Sequence, residues 1–154
     1  MHNYNNLQIW QQSMDLTTYI YKVVSNFPSM EKFGIASQMT RAAVSIPSNI
    51  AEGSGRATDK EFCHFLSIAI GSSYELHTQV VVCERVGYID ASLSEELQET
   101  IQQLQRMLIA YKNKLSVRQW NDPTSDSERS ERSDSETVRQ QSDPTAKRSN
   151  LKNY

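Results

Sequence analysis

Apolar residues recur at intervals of three and four along four stretches of the chain, which is the spacing of one face of an α-helix. The first stretch carries Leu7, Trp10, Met14, Thr17, Tyr21 and Val24. The second carries Ile35, Met39, Ala42, Ala43, Ile46 and Ile50. The third carries Phe62, Phe65, Leu66, Ala69, Ser73, Leu76, Val80 and Cys83. The fourth carries Leu97, Ile101, Leu104, Leu108, Tyr111 and Leu115. These faces predict four amphipathic helices, and the last face has the alternating steps of a heptad seam.

The ends of the first two helices are marked by capping residues and by proline. Asn5 or Asn6 can cap the first helix, and Phe27-Pro28 ends it because a residue before proline avoids the α conformation. The second helix starts between Met30 and Gly34. Pro47 lies inside it and lacks a backbone N–H, so we expect a kink or a break there.

The last two helices carry clearer boundary signals. Thr58 and Glu61 have the spacing of a capping box, and Ser92 and Glu95 repeat that spacing before the fourth helix. Gly87 follows the third helix and predicts a left-handed C-terminal cap.

Short connections between the helices predict the topology. A link of two to eight residues cannot cross the length of a bundle, so neighbouring helices must run antiparallel. The sequence therefore predicts an all-α, up-down-up-down four-helix bundle over residues 1–117. Residues 118–154 are rich in Ser, Asp, Glu and Arg, and we expect a disordered tail because so few apolar residues cannot offset the ordering entropy.

The charge composition does not by itself indicate binding to nucleic acid. Residues 1–117 hold nine Lys and Arg against eleven Asp and Glu, and the tail holds seven of each sign. Any RNA contact would need a local basic patch. No apolar run approaches the roughly 20 residues that cross a bilayer, and the N-terminus lacks a signal-peptide pattern, so we expect a cytoplasmic protein without a membrane partner.

The residues that could carry chemistry do not form a recognisable set. Cys63 and Cys83 lie about 30 Å apart on one helix, so they cannot form an intrachain disulfide and we interpret them as buried thiols. His64 and His77 are about 20 Å apart, too far to share a metal. Glu61 and His64 match the Glu-x-x-His pair of di-iron bundles only once. We predict no enzyme activity, no metal and no cofactor.

A glycine-containing turn precedes the third helix and allows two interpretations. The backbone amides of Gly53-Ser54-Gly55 together with Arg56 could receive an anion at a helix N-terminus. A tight turn between helices with a solvated Arg56 is the commoner use of such glycines, and it is the interpretation we favour.

The most distinctive segment spans residues 38–53 and reads QMTRAAVSIPSNIAEG. Its small residues allow two helices to approach closely. Pro47 leaves one carbonyl without its helical donor, and the side chains of Ser48 or Asn49 could help to satisfy it. We single out Pro47, Ser48, Asn49, Glu52 and Gly53 as a structural motif.

This segment resembles the signature of a bacterial family of four-helix bundle proteins encoded in 23S ribosomal RNA intervening sequences. Shorter matches extend the resemblance over residues 4–115, including Phe27-Pro28, Phe33-Gly34 and Gly87-Tyr88. The resemblance implies an up-down bundle that assembles into a ring, a homopentamer. It also implies a relative, the accessory protein of diversity-generating retroelements, which binds a reverse transcriptase and nucleic acid.

Our leading hypothesis is a non-enzymatic oligomeric assembly or adaptor protein, with any RNA contact made by Arg41, Arg56 and Lys60. The alternative is a retroelement accessory protein that docks a reverse transcriptase. We also expect self-association on physical grounds, since four apolar residues fall off the predicted core faces and would otherwise leave apolar patches in water. They are Ile9, Leu16, Ile20 and Val82.

Overall fold

The structure, a computed structural model, describes residues 3–120, with side chains described for residues 3–117. Four helices fill most of this range: α1 (Gln8–Val24), α2 (Ile35–Ser54), α3 (Asp59–Arg85) and α4 (Ala91–Trp120). Short 3₁₀ turns at Tyr4–Asn6 and Ser29–Phe33 precede α1 and α2. No strand occurs between residues 3 and 120. The predicted all-α four-helix bundle is confirmed.

Side-chain contacts between α2 and α3 show that these helices run antiparallel. Met39 of α2 contacts Cys83 near the end of α3, with 3.5 Å between the two sulfur atoms. Further along α2, the Ser45 hydroxyl is 2.8 Å from the hydroxyl of Ser72. The residue number therefore falls along α3 as it rises along α2.

The fourth helix closes the bundle against both α3 and α1. Cys63 Sγ lies 3.7 Å from the carbonyl of Lys112, and the other end of the α3–α4 contact joins His77 to Gln102 at 3.4 Å. On the opposite side of α4, Glu96 forms a hydrogen bond with Tyr19 of α1. The up-down-up-down order follows from these contacts.

Three of the four predicted core faces are correct. In α2, α3 and α4 the predicted apolar residues are buried, except that Ile35, Phe65 and Tyr111 are only partly buried. The largest fully buried side chains come from all four helices: Leu16, Ile20, Met39, Ile46, Ile50, Phe62, Leu66, Leu76, Leu97, Ile101, Leu104 and Leu108.

The predicted face of α1 is only partly correct, since Thr17 is buried and Leu7, Trp10 and Val24 are partly buried against the core. The helix buries Ile9, Ser13, Leu16, Thr17, Ile20 and Val23, whereas Met14 and Tyr21 are exposed. The helix is rotated by one residue, about 100°, from the predicted position. Tyr and Trp need a hydrogen-bond partner when buried and Ile and Leu do not, so the aliphatic face lies inside.

This rotation also overturns our physical argument for self-association. Ile9, Leu16 and Ile20 are core residues and leave no apolar patch in water. Of the four residues on which the argument rested, Val82 alone is exposed.

The predicted boundaries of α3 are confirmed, whereas the cap predicted at Asn5 or Asn6 is wrong, since Leu7 precedes α1 and no side chain caps that helix. Thr58 and Glu61 form the capping box, and Gly87 has a φ of 79° in the left-handed region. The predicted box at the start of α4 is wrong, because α4 begins at Ala91 and Asp90 Oδ1 accepts the hydrogen bond from the Leu93 N–H at 2.8 Å. Asp90 therefore occupies the capping position two residues earlier than expected.

The last helix ends slightly later than the sequence predicted. Helix α4 extends to Trp120, past the expected end at Val117, and the rest of the predicted disordered tail, residues 121–154, lies outside the described residues. None of the described helices combines the length and hydropathy that a membrane span requires.

Candidate functional site

The distinctive segment of α2 contains a proline that the helix accommodates without a break. Helix α2 continues through Pro47, contrary to a predicted break, and Pro47 is buried. The carbonyl four residues earlier, that of Ala43, lacks its usual donor because Pro47 has no N–H. Thr17 Oγ1 of α1 lies 3.0 Å from this carbonyl and 2.7 Å from the Ser13 carbonyl, so its single proton is shared between the two acceptors and it is the side chain placed to donate to Ala43.

The expectation that Ser48 or Asn49 satisfies the freed carbonyl is therefore wrong. The Ser48 hydroxyl donates to the Val44 carbonyl at 2.8 Å, and Asn49 Nδ2 donates to the Ser45 carbonyl at 2.7 Å. A Ser or Asn side chain in a helix reaches the carbonyl four residues back, and from positions 48 and 49 those carbonyls are one and two residues past Ala43. The donor had to come from another helix.

Gly53 permits a close approach between α2 and α3. A Cβ atom at this position would lie 2.6 Å from Phe62 Cδ2 and 2.7 Å from the Cβ of Phe65. Such distances are shorter than van der Waals contact, so any side chain at position 53 would push the helices apart. The motif of Pro47, Asn49 and Gly53 is thus built for helix packing.

The predicted basic residues fall into two separate places. Arg56 and Lys60 lie close together in sequence, across the turn that opens α3. Arg41 is exposed in the middle of α2, and thirteen residues separate it from Ser54, which corresponds to about 20 Å of helix rise. The structure does not gather the three into one patch.

Arg56 is more constrained than the expected solvated side chain. It forms an ion pair with Glu52, one turn earlier, and its guanidinium carbon lies 4.7 Å from the centre of the Phe65 ring. The Glu52 carboxylate offsets the charge of Arg56 at the turn. Lys60 remains exposed in the first turn of α3.

The thiols and histidines are accounted for by packing. Cys63 and Cys83 are free and buried, as predicted, and burial is the main cause that raises the pKa of Cys83 to about 11, with a contribution from the Glu31 charge. Glu61 Oε2 accepts hydrogen bonds from the Thr58 N–H and hydroxyl, so its carboxylate is engaged in the helix cap. Within the described residues, no group of three His, Cys, Asp or Glu side chains is placed to hold a metal ion.

The 3₁₀ turn before α2 presents two apolar side chains that the helical spacing did not reveal. Phe33 is 88% exposed and Met30 is 79% exposed. Both precede the periodic part of α2, so their only sequence signal was a pair of large apolar residues between Pro28 and Gly34. No other large apolar side chain among the described residues is more than 60% exposed.

Two surface cavities lie next to α4. One, of about 430 Å³, is polar and is lined by Glu84, Ala91, Glu95, Gln98, Glu99 and Gln102. The other, of about 390 Å³, is mainly apolar and is lined by Asn6, Leu7, Gln8, Ile9, Met107, Ala110, Tyr111 and Lys114. The first concentrates negative charge and the second does not.

Comparisons with known proteins agree with the bundle. No curated protein matches the chain. The fold is similar to the crystal structure of a protein of unknown function from the S23 ribosomal protein family of Bacteroides thetaiotaomicron, with a TM-score of 0.62 and 22% identity, over 68% of this chain and 97% of that one. The sequence profile of the 23S rRNA-intervening sequence proteins matches residues 5–110. The match covers more than half of the sequence, and the chain therefore belongs to the 23S rRNA-intervening sequence protein family.

Proposed function

We propose that this chain is a non-enzymatic, oligomeric assembly or adaptor protein. The observation that carries the proposal is the exposure of Phe33 and Met30 on a bundle whose core is complete without them. Water-exposed apolar pairs of this size are typical of protein contact sites. A homopentameric ring, which the family resemblance implies, is the state we expect.

The mass of the native assembly tests this proposal directly. Light scattering coupled to size-exclusion chromatography should give a multiple of 17.6 kDa, with five copies as the expected multiple. A protein that stays at the mass of one chain at micromolar concentration would contradict the proposal.

We further propose that any RNA contact is made by Arg41, Arg56 and Lys60. Arg56 and Lys60 support this proposal because both side chains are exposed and stand on either side of the first residue of α3. Arg41 is exposed and far along α2, so it would contact a separate phosphate.

An RNA-binding titration at increasing salt tests the contact. Replacing both Arg56 and Lys60 by Glu should weaken binding and lower the salt slope by roughly 1.4, since each single-strand phosphate contact contributes about 0.7. Arg106→Glu, a charge reversal at an exposed position of α4, is the control and should leave the salt slope unchanged. No binding at low salt, or an unaffected double variant, would remove the RNA proposal.

An accessory role with a reverse transcriptase is the second candidate. One observation favours it: Met14 and Tyr21 are both exposed and lie seven residues apart, so they share one outer face of α1 that a protein partner could cover. A reverse transcriptase gene beside a variable repeat would favour this role, whereas a location within a 23S rRNA gene would favour the first. Co-purification with that enzyme, lost on Tyr21→Ser, would be the biochemical check.

A further inference from the structure

The 3₁₀ turn at Ser29–Phe33 presents its apolar side chains as a pair. In a 3₁₀ turn, residues three apart lie on the same side, so Met30 and Phe33 project together. Lys32 lies between them in sequence, and its Nζ is 5.6 Å from the centre of the Phe33 ring. We call Met30, Lys32 and Phe33 the apolar turn.

Hydrogen bonds on both sides of Glu31 hold the apolar turn in place. Glu31 Oε1 accepts from the Tyr88 hydroxyl at 2.8 Å, and Oε2 accepts from the Ile35 N–H at 3.1 Å. The Tyr88 hydroxyl lies in the α3–α4 connection, so the turn is tied to two parts of the bundle. That hydrogen bond, followed by burial, raises the pKa of Tyr88, which keeps the donating proton in place over the physiological range.

Gly34 completes the support. A Cβ atom there would overlap Glu31 Oε2, so a larger residue would displace the carboxylate from its place over the start of α2. A turn fixed in this way loses little conformational entropy when it binds, and this favours a role as an anchor.

A complementary surface lies on the same chain, where α3 ends and α4 begins. The polar cavity of about 430 Å³ there places Glu84, Glu95 and Glu99 along its wall, together with the methyl group of Ala91. Glu95 and Glu99 are exposed and one helical turn apart, so their like charges repel each other. A lysine ammonium between them would relieve that repulsion, and glutamine and glutamate stems offer apolar contact for a neighbouring ring. We call this surface the acidic cavity.

We propose that the apolar turn of one copy docks into the acidic cavity of a second copy, with Lys32 facing Glu95 and Glu99. The proposal rests on the oligomeric function proposed above and specifies its interface. The occupant is a second copy because this chain itself supplies both the cation and the carboxylates. RNA is the less suitable occupant, since the carboxylates of the cavity repel phosphate.

The geometry of this contact has a consequence for assembly. The two surfaces are different patches of one molecule, so each copy would use its turn on one neighbour and its cavity on the other. Such head-to-tail contacts give a ring when the rotation between neighbours closes and an open filament when it does not, so they are compatible with the proposed ring. A symmetric dimer through the turn alone would leave the cavity without a role.

Charge reversal tests the pairing. Lys32→Glu alone and Glu95→Lys with Glu99→Lys should each weaken self-association at least tenfold, as measured by light scattering over a concentration series. Combining all three substitutions in one chain should restore assembly, because the charges across every contact are then complementary again. Lys22→Glu makes the same change of net charge at an exposed position of α1 and should assemble like the wild type.

A second variant tests the apolar part. Phe33→Ser should also weaken assembly at least tenfold, whereas Tyr74→Ser, which removes another exposed aromatic ring from α3, should not. Circular dichroism should show unchanged helix content in both. An oligomer that survives Phe33→Ser and both charge reversals would overturn this interface while leaving the proposed oligomeric function intact. A wild-type protein that is monomeric would instead overturn the oligomeric function, and the contact with it.

Discussion

The hydrogen bond between Thr17 and the Ala43 carbonyl makes a sharp prediction about stability. In Thr17→Val the side chain keeps nearly the same shape but loses the hydroxyl that lies 3.0 Å from the carbonyl freed by Pro47. Because Pro47 has no backbone N–H, no helical donor replaces the lost hydroxyl. The Ala43 carbonyl is buried between α1 and α2 and needs a partner within the protein. An unsatisfied buried acceptor costs about 1–3 kcal/mol, and we expect the free energy of unfolding to fall by that amount.

Urea unfolding followed by circular dichroism at fixed protein concentration measures this loss. The slope of the free energy against urea concentration should not change, since the fold is the same. Thr18→Val is the matched control: its hydroxyl donates to the Met14 carbonyl at 2.9 Å on an exposed face, where water can replace it. The control should change the stability by less than about 0.5 kcal/mol.

A double-mutant cycle isolates the cause. In Pro47→Ala the backbone N–H returns and can bond the Ala43 carbonyl, so Thr17→Val should cost less than about 1 kcal/mol in that background. The Thr17 hydroxyl also lies 2.7 Å from the Ser13 carbonyl, a contact that Pro47→Ala does not touch. An equal cost of Thr17→Val in both backgrounds would refute the proposed role of the freed carbonyl.

Three further perturbations test the packing, a helix cap and the buried thiol. Gly53→Ala should lower the free energy of unfolding, measured in urea, by about 1–3 kcal/mol, because its Cβ would lie 2.6 Å from Phe62 Cδ2. Gly71→Ala is the control: no atom lies within 4 Å of its Cβ, and it should raise the free energy of unfolding by about 0.5–1 kcal/mol. Gly87→Ala should cost about 1–2 kcal/mol and lower the thermal midpoint, because Gly87 has a φ of 79°; an unchanged midpoint would contradict the left-handed cap. The pKa of Cys83 is raised from 9.0 to about 11, so the stability that its protonated thiol contributes is complete below pH 9 and is lost as the pH rises through about 11. Wild-type stability should therefore fall between pH 9 and 11, and Cys83→Ala should fall less steeply.

Helical spacing was sufficient to identify most of the fold. Met39, Ile46, Leu66 and Leu104 sit on single apolar stripes with polar residues opposite, so only one face of each helix could be buried. The capping box at Thr58 and the cap at Gly87 depend on neighbouring residues alone, which is why the sequence predicted them.

The candidate site was harder to predict because its parts meet through tertiary contacts. No spacing rule shows that Arg56 lies over the Phe65 ring or that Arg41 lies a long way from it along α2. The exposed pair of Met30 and Phe33 escaped notice for a related reason: a short 3₁₀ turn has no repeating pattern from which its outer side can be deduced. The family resemblance predicted assembly without identifying the surface.

The difference between the predicted and observed core faces of α1 and the unexpected donor to the Ala43 carbonyl of α2 have a common explanation. Two apolar stripes run along α1, and each residue of the buried stripe comes one position before a residue of the predicted stripe. Leu16 is at the centre of the buried face in place of Thr17, and Ile20 is buried in place of Tyr21. Thr17 lies at the border of both stripes. With Leu16 at the centre, Thr17 turns sideways towards α2, which is the direction from which the Ala43 carbonyl can be reached.

The freed carbonyl thus helps to select the rotation of α1. Both rotations bury apolar surface, so hydrophobic burial alone distinguishes them weakly, whereas an unsatisfied carbonyl penalises any rotation that turns Thr17 away from it. Pro47 removes one hydrogen bond from α2, and the carbonyl that it leaves free favours one rotation of α1 against α2. On this reasoning, Thr17→Val should also loosen the docking of α1, which can be measured by the rate of amide hydrogen exchange along Gln8–Val24. We expect faster exchange there than in the Thr18→Val control, and equal exchange in the two variants would show that burial alone fixes the rotation.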